Sequence, residues 1–96
     1  MARRSVATDI LAENTGTDWL PVDPGLYSVS VQGSFSATIY LQRSFDAGLT
    51  SEDVTSFGAA VAENAEAAEH QHVRLFCKTG GFTSGRAGCR LGQYAR

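Results

Sequence analysis

The chain has 96 residues, of which 43% are hydrophobic and 19% charged, with a formal net charge of −2. These totals fit one folded domain with a modest core and exclude a disordered tail. They argue against nucleic acid as a partner, since phosphate neutralisation needs a broadly basic face. No stretch approaches the roughly 20 apolar residues that cross a bilayer. After Arg3 and Arg4, Asp9 and Glu13 interrupt the segment where an export signal needs an apolar run. A chain made in the cytoplasm, with no membrane partner, is expected.

In chain order, "SVATDILAEN" puts Val6, Thr8, Ile10 and Ala12 on alternate positions, and "DWLPV" is a short extended piece that ends in a turn at Pro24 and Gly25. Residues 1–24 read as an extended N-terminal arm with the first strand or strands, and residues 25–96 as the body of a single domain. Trp19, the only tryptophan, is expected in the core. "GLYSVSVQGSFSATIYLQRSF" carries the clearest period of two: Tyr27, Val29 and Val31, then Phe35, Ala37, Ile39 and Leu41. A three-residue loop with Gly33 at positive φ would join these runs as a hairpin that sets Val31 opposite Phe35 and Tyr27 opposite Ile39. "SFDAGLTS" follows. It resembles the Asp-box of sialidase-like propeller proteins in Ser44, Asp46 and Gly48, but has Ser51 where that motif has tryptophan. One copy predicts a turn and no chemistry.

For "FGAAVAENAEAAEHQH", 57–72, propensity favours helix, yet Val61 is its only large aliphatic side chain, a poor anchor for one. A strand over 55–63 and a loop over 64–70 are expected in preference to a short helix. "HVRLFCKTGGFTSGRAGCRLGQY" alternates again and reads as a closing hairpin with Leu75 opposite Leu91 and Cys77 opposite Cys89. About seven strands linked by Gly-, Pro- and Ser-rich turns make an all-β, antiparallel two-sheet sandwich, immunoglobulin-like or jelly-roll-like.

The two cysteines, with eleven residues between them within that hairpin, lack the spacing of a redox pair. They read as a facing core pair, reduced and buried, with a disulfide as the alternative. "HQH" at 70–72 with the cysteines lacks the tight ligand pairs of a structural zinc site, so no metal and no cofactor is expected. The histidines are expected at the mouth of a strand. Charge is segregated: Asp46, Glu52, Asp53, Glu63, Glu66 and Glu69 lie between Arg43 and Arg74, while Arg74, Lys78, Arg86, Arg90 and Arg96 follow the last acid. Either neighbouring strands pair these charges, or identical subunits meet head to tail through them. No phosphate loop and no nucleophile elbow is present, and a non-enzyme is expected.

Together, "GLYSVSVQGSFSATIYLQRSFDAG" and, about thirty residues later, "VRLFCKTGGFTSGRAGCRLGQ" resemble a recurrent type of small virion protein of tailed bacteriophages and prophages. The resemblance spans roughly residues 25–93. It implies a β-sandwich structural protein of the particle, a capsid decoration or cement protein that binds the major capsid protein and neighbouring copies of itself, commonly as a homo-trimer. A tail or fibre component comes next, and a carbohydrate-binding sandwich with Trp19, Tyr40, Phe76 or Phe82 as an aromatic platform is the competing class. Contacts are expected from Arg3 and Arg4 on the arm and from Lys78, Phe82 and Arg86 at the closing hairpin.

Overall fold

The computed structural model describes residues 2–95, with side chains described from Arg4 to Gln93. Eleven strands run in order: β1 (Ala2–Ile10), β2 (Thr15–Gly16), β3 (Leu20–Val22), β4 (Gly25–Gln32), β5 (Phe35–Ala37), β6 (Ile39–Ser44), β7 (Glu52–Phe57), β8 (Val61–Ala67), β9 (Gln71–Cys77), β10 (Phe82–Gly85) and β11 (Ala87–Ala95). The chain is all-β, and every pairing is antiparallel. One sheet has the order β1-β11-β4-β8; the other has β2-β9-β6-β7, with β3 also on β9; β5 and β10 form a two-stranded ribbon between them.

The period of two decides which side chains go inside, because alternate residues of a strand point to opposite faces. From the first sheet Ile10, Tyr27, Val29, Val31, Cys89 and Leu91 are buried, and from the second Leu20, Val22, Ile39, Leu41, Val73 and Leu75. They belong to one cluster, so the two sheets share a single core. The alternation at Tyr27, Val29 and Val31 and at Ile39 and Leu41 is therefore realised residue by residue.

Pairing follows a different plan from the expected hairpins. β4 pairs β11, β5 pairs β10 and β6 pairs β9. Residues 28–44 thus run alongside residues 72–92 as one long antiparallel pair that starts in the first sheet, crosses as the ribbon and ends in the second. Neither Val31 opposite Phe35 nor Cys77 opposite Cys89 occurs; Val31 lies beside Cys89 and Leu41 beside Leu75. The crossing explains why. Arg86 N donates to Ser34 O at 3.1 Å, and Gly85 sits at φ 93°. A Cβ on Gly85 would lie 2.6 Å from Phe35 Cα, so only glycine lets the chains pass there. Gly33 does take a positive φ, 108°, but in a bend that leaves the sheet.

Three further expectations change. Residues 2–10 are not a free arm: β1 pairs β11 along its whole length, and Ile10 is fully buried. With Leu20 and Val22 also in the core, residues 2–24 are part of the body. Among the described residues there are eleven strands instead of about seven. The segment 55–70 holds no helix, but its strands are Glu52–Phe57 and Val61–Ala67, with a turn where a strand was expected and a strand where the loop was expected. β8 forms because Val61, Ala65 and Ala67 lie along one side of β4 and pack on the core. Pairing along an existing strand overrides the helix propensity of Ala and Glu.

Leu75, fully buried at the centre of β9, tests this core. The substitution Leu75→Ala is expected to lower unfolding free energy by about 2–5 kcal/mol. Leu49→Ala, at a side chain 87% exposed, should stay within about 0.5 kcal/mol of the parent. Equilibrium denaturation measures both.

Candidate binding surface

The outward residues of β6 and β9 form a polar and aromatic face on the second sheet. Inward Val73, Leu75 and Cys77 leave His72, Arg74, Phe76 and Lys78 pointing out, and the β6–β9 register sets Tyr40 beside Phe76 and Gln42 beside Arg74. The Arg74 guanidinium carbon stands 4.4 Å from the centre of the Trp19 ring and 4.2 Å from that of Phe76. Its Nε donates to Gln42 Oε1 at 2.8 Å, and Gln42 Nε2 donates to Asp53 Oδ1 at 3.0 Å. Lys78 Nζ donates to Asp53 Oδ2 at 2.5 Å and stands 4.4 Å from the Tyr40 ring centre. Burial lowers the Arg74 pKa, while hydrogen bonds from Lys78 and Gln42 hold the Asp53 carboxyl below its ordinary range. Two aromatic faces offset the desolvation of Arg74, each worth about 0.5–2 kcal/mol as a cation–π contact.

Trp19 is therefore a surface residue and not a core one: it is half-buried over Arg74. The segment that carries it is pinned by buried Thr17, whose N donates to Leu75 O at 2.9 Å and whose Oγ1 accepts from Leu75 N at 3.1 Å. The indole also meets the Asp46 turn. A Cβ on Gly48, at φ 96°, would approach Trp19 Nε1 to 2.7 Å. Trp19, 29 positions before Gly48 in the chain, thus packs on this turn, and the turn and the stack are one assembly.

The turn is built as its residues predict. Buried Ser44 Oγ donates to Asp46 Oδ1 at 2.6 Å and accepts from Gly48 N at 2.8 Å. Asp46 Oδ1 accepts from Thr50 N at 2.9 Å, and Oδ2 accepts from Thr50 Oγ1 at 2.6 Å. Hydrogen bonds from Ser44, then Thr50, hold the Asp46 carboxyl down at about 2.

The other expected contact residues do not converge. Lys78 is committed to Asp53 and Tyr40 on the second sheet, and Phe82 is half-buried against the core. Arg86 is exposed and pairs with Asp9 at 3.1 Å across an open groove on the outer face of the first sheet. Arg4 Nη1 donates to Pro21 O at 3.3 Å and lies 3.7 Å from Asp23, so it is engaged within its own chain. The Arg3 side chain lies outside the described residues. His70 Nδ1 is 3.0 Å from Asp23 Oδ1 in an exposed turn before β9.

Cys77 and Cys89 are both free thiols, buried in the shared core from opposite sheets. Burial pushes the Cys89 thiol up to about 12, with Asp9 and Cys77 adding to the shift, and burial also raises Cys77. Such thiols are poor nucleophiles. Among the described residues no group of three or more His, Cys, Asp and Glu side chains is placed to hold a metal ion.

Arg74, Gln42 and Asp53 were not singled out from sequence. The signal for Arg74 was present, since it alternates with the inward residues of β9, but its partners Gln42 and Trp19 lie 32 and 55 positions away in the chain. No family model, no curated protein and no solved structure matches the chain.

Two measurements check these assignments. The folded Asp46 carboxyl titrates near 2 and its ordinary value is 3.8, so the unfolded chain binds the proton first. Its contribution is complete above about pH 4 and is lost as pH falls through about 2. Thermal melts followed by circular dichroism should show a steeper fall across that window for the parent than for Asp46→Asn. A maleimide should label Cys77 and Cys89 in the folded protein far more slowly than a free thiol, and both at once in denaturant. Rapid native labelling of Cys89 would contradict its burial.

Proposed function

We propose that the chain is a structural protein of a bacteriophage particle, a capsid decoration protein that binds the major capsid protein and neighbouring copies of itself. The particle surface is its place of work, and its action is binding without catalysis. The resemblance over residues 25–93 supports this reading. The observation that carries it is the outer face of the second sheet, where Trp19, Arg74, Phe76, Tyr40 and Lys78 are locked to one another by stacking and hydrogen bonds. A pre-ordered aromatic and arginine patch on a rigid sheet suits contact with another protein, because such side chains dominate interface energetics and little entropy remains to be lost.

A carbohydrate-binding module is the second reading, favoured by the convergence of Trp19, Tyr40 and Phe76 on that one face. Against it, Arg74 and Lys78 already stack on those rings.

Particles assembled with and without this chain separate the readings. Decoration predicts the chain in purified particles and earlier rupture on heating when it is missing; normal particle stability after deletion overturns it. Replacing Trp19 and Phe76 together by alanine should abolish particle binding, whereas loss of binding to a glycan array instead would favour the carbohydrate reading.

A further inference from the structure

The two sheets present four lateral edges, and they are not alike. An exposed edge strand offers unpaired N–H and C=O groups to any other strand, so proteins blunt their edges with short strands, prolines, bulges or charges. In the second sheet one edge is made of β2 and β3, two and three residues long, with Pro21 in β3. Its other edge, β7, carries a register break opposite Leu41 and Gln42. Both are blunted. The edges of the first sheet are β1, nine residues, and β8, seven residues. Each pairs with its inner neighbour in one unbroken register and contains no proline. Among the described residues no backbone hydrogen bond reaches the outer side of either one.

We propose that β1 of one copy pairs antiparallel with β8 of the next, joining copies head to tail into a closed ring through a continuous sheet. Strand direction permits it. Because the sheet has four strands, each antiparallel to its neighbour, β1 and β8 run in opposite directions. A second copy rotated about an axis parallel to the strands sets its β1 antiparallel beside β8, and repetition of that rotation closes a cycle.

Side-chain chemistry selects the register. In a continuous sheet the core-facing residues must meet core-facing residues. On β1 these are Arg4, Val6, Thr8 and Ile10, and on β8 they are Val61, Glu63, Ala65 and Ala67. One register places Val6 opposite Val61 and Arg4 opposite Glu63. Val6 and Val61 are each half-buried against the core of their own copy, so the pairing completes their burial. Glu63 is exposed and has no ion-pair partner among the described residues, and Arg4 keeps part of its surface open beside Asp23. The register also sets Ser5 opposite Ala62, both exposed on the outer face. This inference concerns the chain by itself and stands or falls apart from the capsid reading, since its test needs no particle.

The experiment uses the purified full chain. Sedimentation velocity over a concentration series should show a discrete oligomer that weakens with added salt. Glu63→Arg should weaken association by roughly fivefold or more per contact, as expected for like charges directly opposite each other in a sheet, and Arg4→Glu combined with Glu63→Arg should restore it. Since Arg4→Glu also faces Asp23 of its own chain, a second variant reads the register independently. Ser5→Cys with Ala62→Cys should form inter-chain disulfides on mild oxidation, whereas Ser5→Cys with Asn64→Cys should do so only weakly. Within one chain those positions lie three strands apart, roughly 14 Å, beyond disulfide reach. A monomer at every concentration, or an oligomer indifferent to Glu63→Arg and without the Ser5–Ala62 cross-link, overturns the proposal.

Discussion

Where residues 33–38 and 81–86 cross between the layers, two chain segments are forced to travel together. Arg86 N bonded to Ser34 O and the left-handed backbone of Gly85 hold them in contact while both leave the first sheet. A second bond, from Thr38 N to Gly81 O at 2.8 Å, holds them as they enter the other. On either side of this crossing their partners are fixed: β4 with β11 before it and β6 with β9 after it. Each of the two most regular stretches of sequence is thereby divided between the layers, and its inward residues close the core from both sides.

That division is what assembles the outer face of the second sheet. Tyr40 and Phe76 become neighbours only because β6 and β9 pair, and Gln42 can then bridge Arg74 to Asp53. Trp19 arrives from the other flank, anchored by Thr17 on Leu75, and touches both Arg74 and the Gly48 turn. The same geometry buries Cys77 and Cys89 in opposite sheets, where desolvation raises the pKa of both thiols. The chemistry this surface offers is contact: stacked rings, a guanidinium fixed in place, and a carboxylate neutralised by Lys78.

Charge segregation along the chain is resolved in two ways. The acids of β7 find cations inside the domain, Glu52 with Arg43 at 2.6 Å and Asp53 with Lys78. Exposed pairs of this kind add little stability, so they serve to order side chains more than to hold the fold. Glu63 and Glu66 of β8 stay exposed on a strand whose outer edge is unpaired. The distinction between a neutralised edge and a charged one is therefore structural and follows from which strand each acid lies on.

How far the sequence reached can be argued from particular residues. That Tyr27, Val29, Val31, Ile39, Leu41, Val73, Leu75, Cys77, Cys89 and Leu91 are inside, and that the fold is all-β, was legible, because the direction of a side chain along a strand is a local property with a period of two. The turn at Ser44, Asp46 and Gly48 was legible for the same reason: its hydrogen bonds close within seven residues. The place of Trp19, the docking of β1 on its own β11, the strand at Val61–Ala67 and the Arg74 stack were not. Each depends on which distant strand lies alongside, and burial of the whole core decides that at once; a period of two is satisfied equally well by the adjacent run or by one fifty residues away. By itself the sequence determined which face of its most regular strands is apolar, and only the tertiary structure decided which strands meet, because backbone hydrogen bonds carry no record of their partner until the two layers have closed.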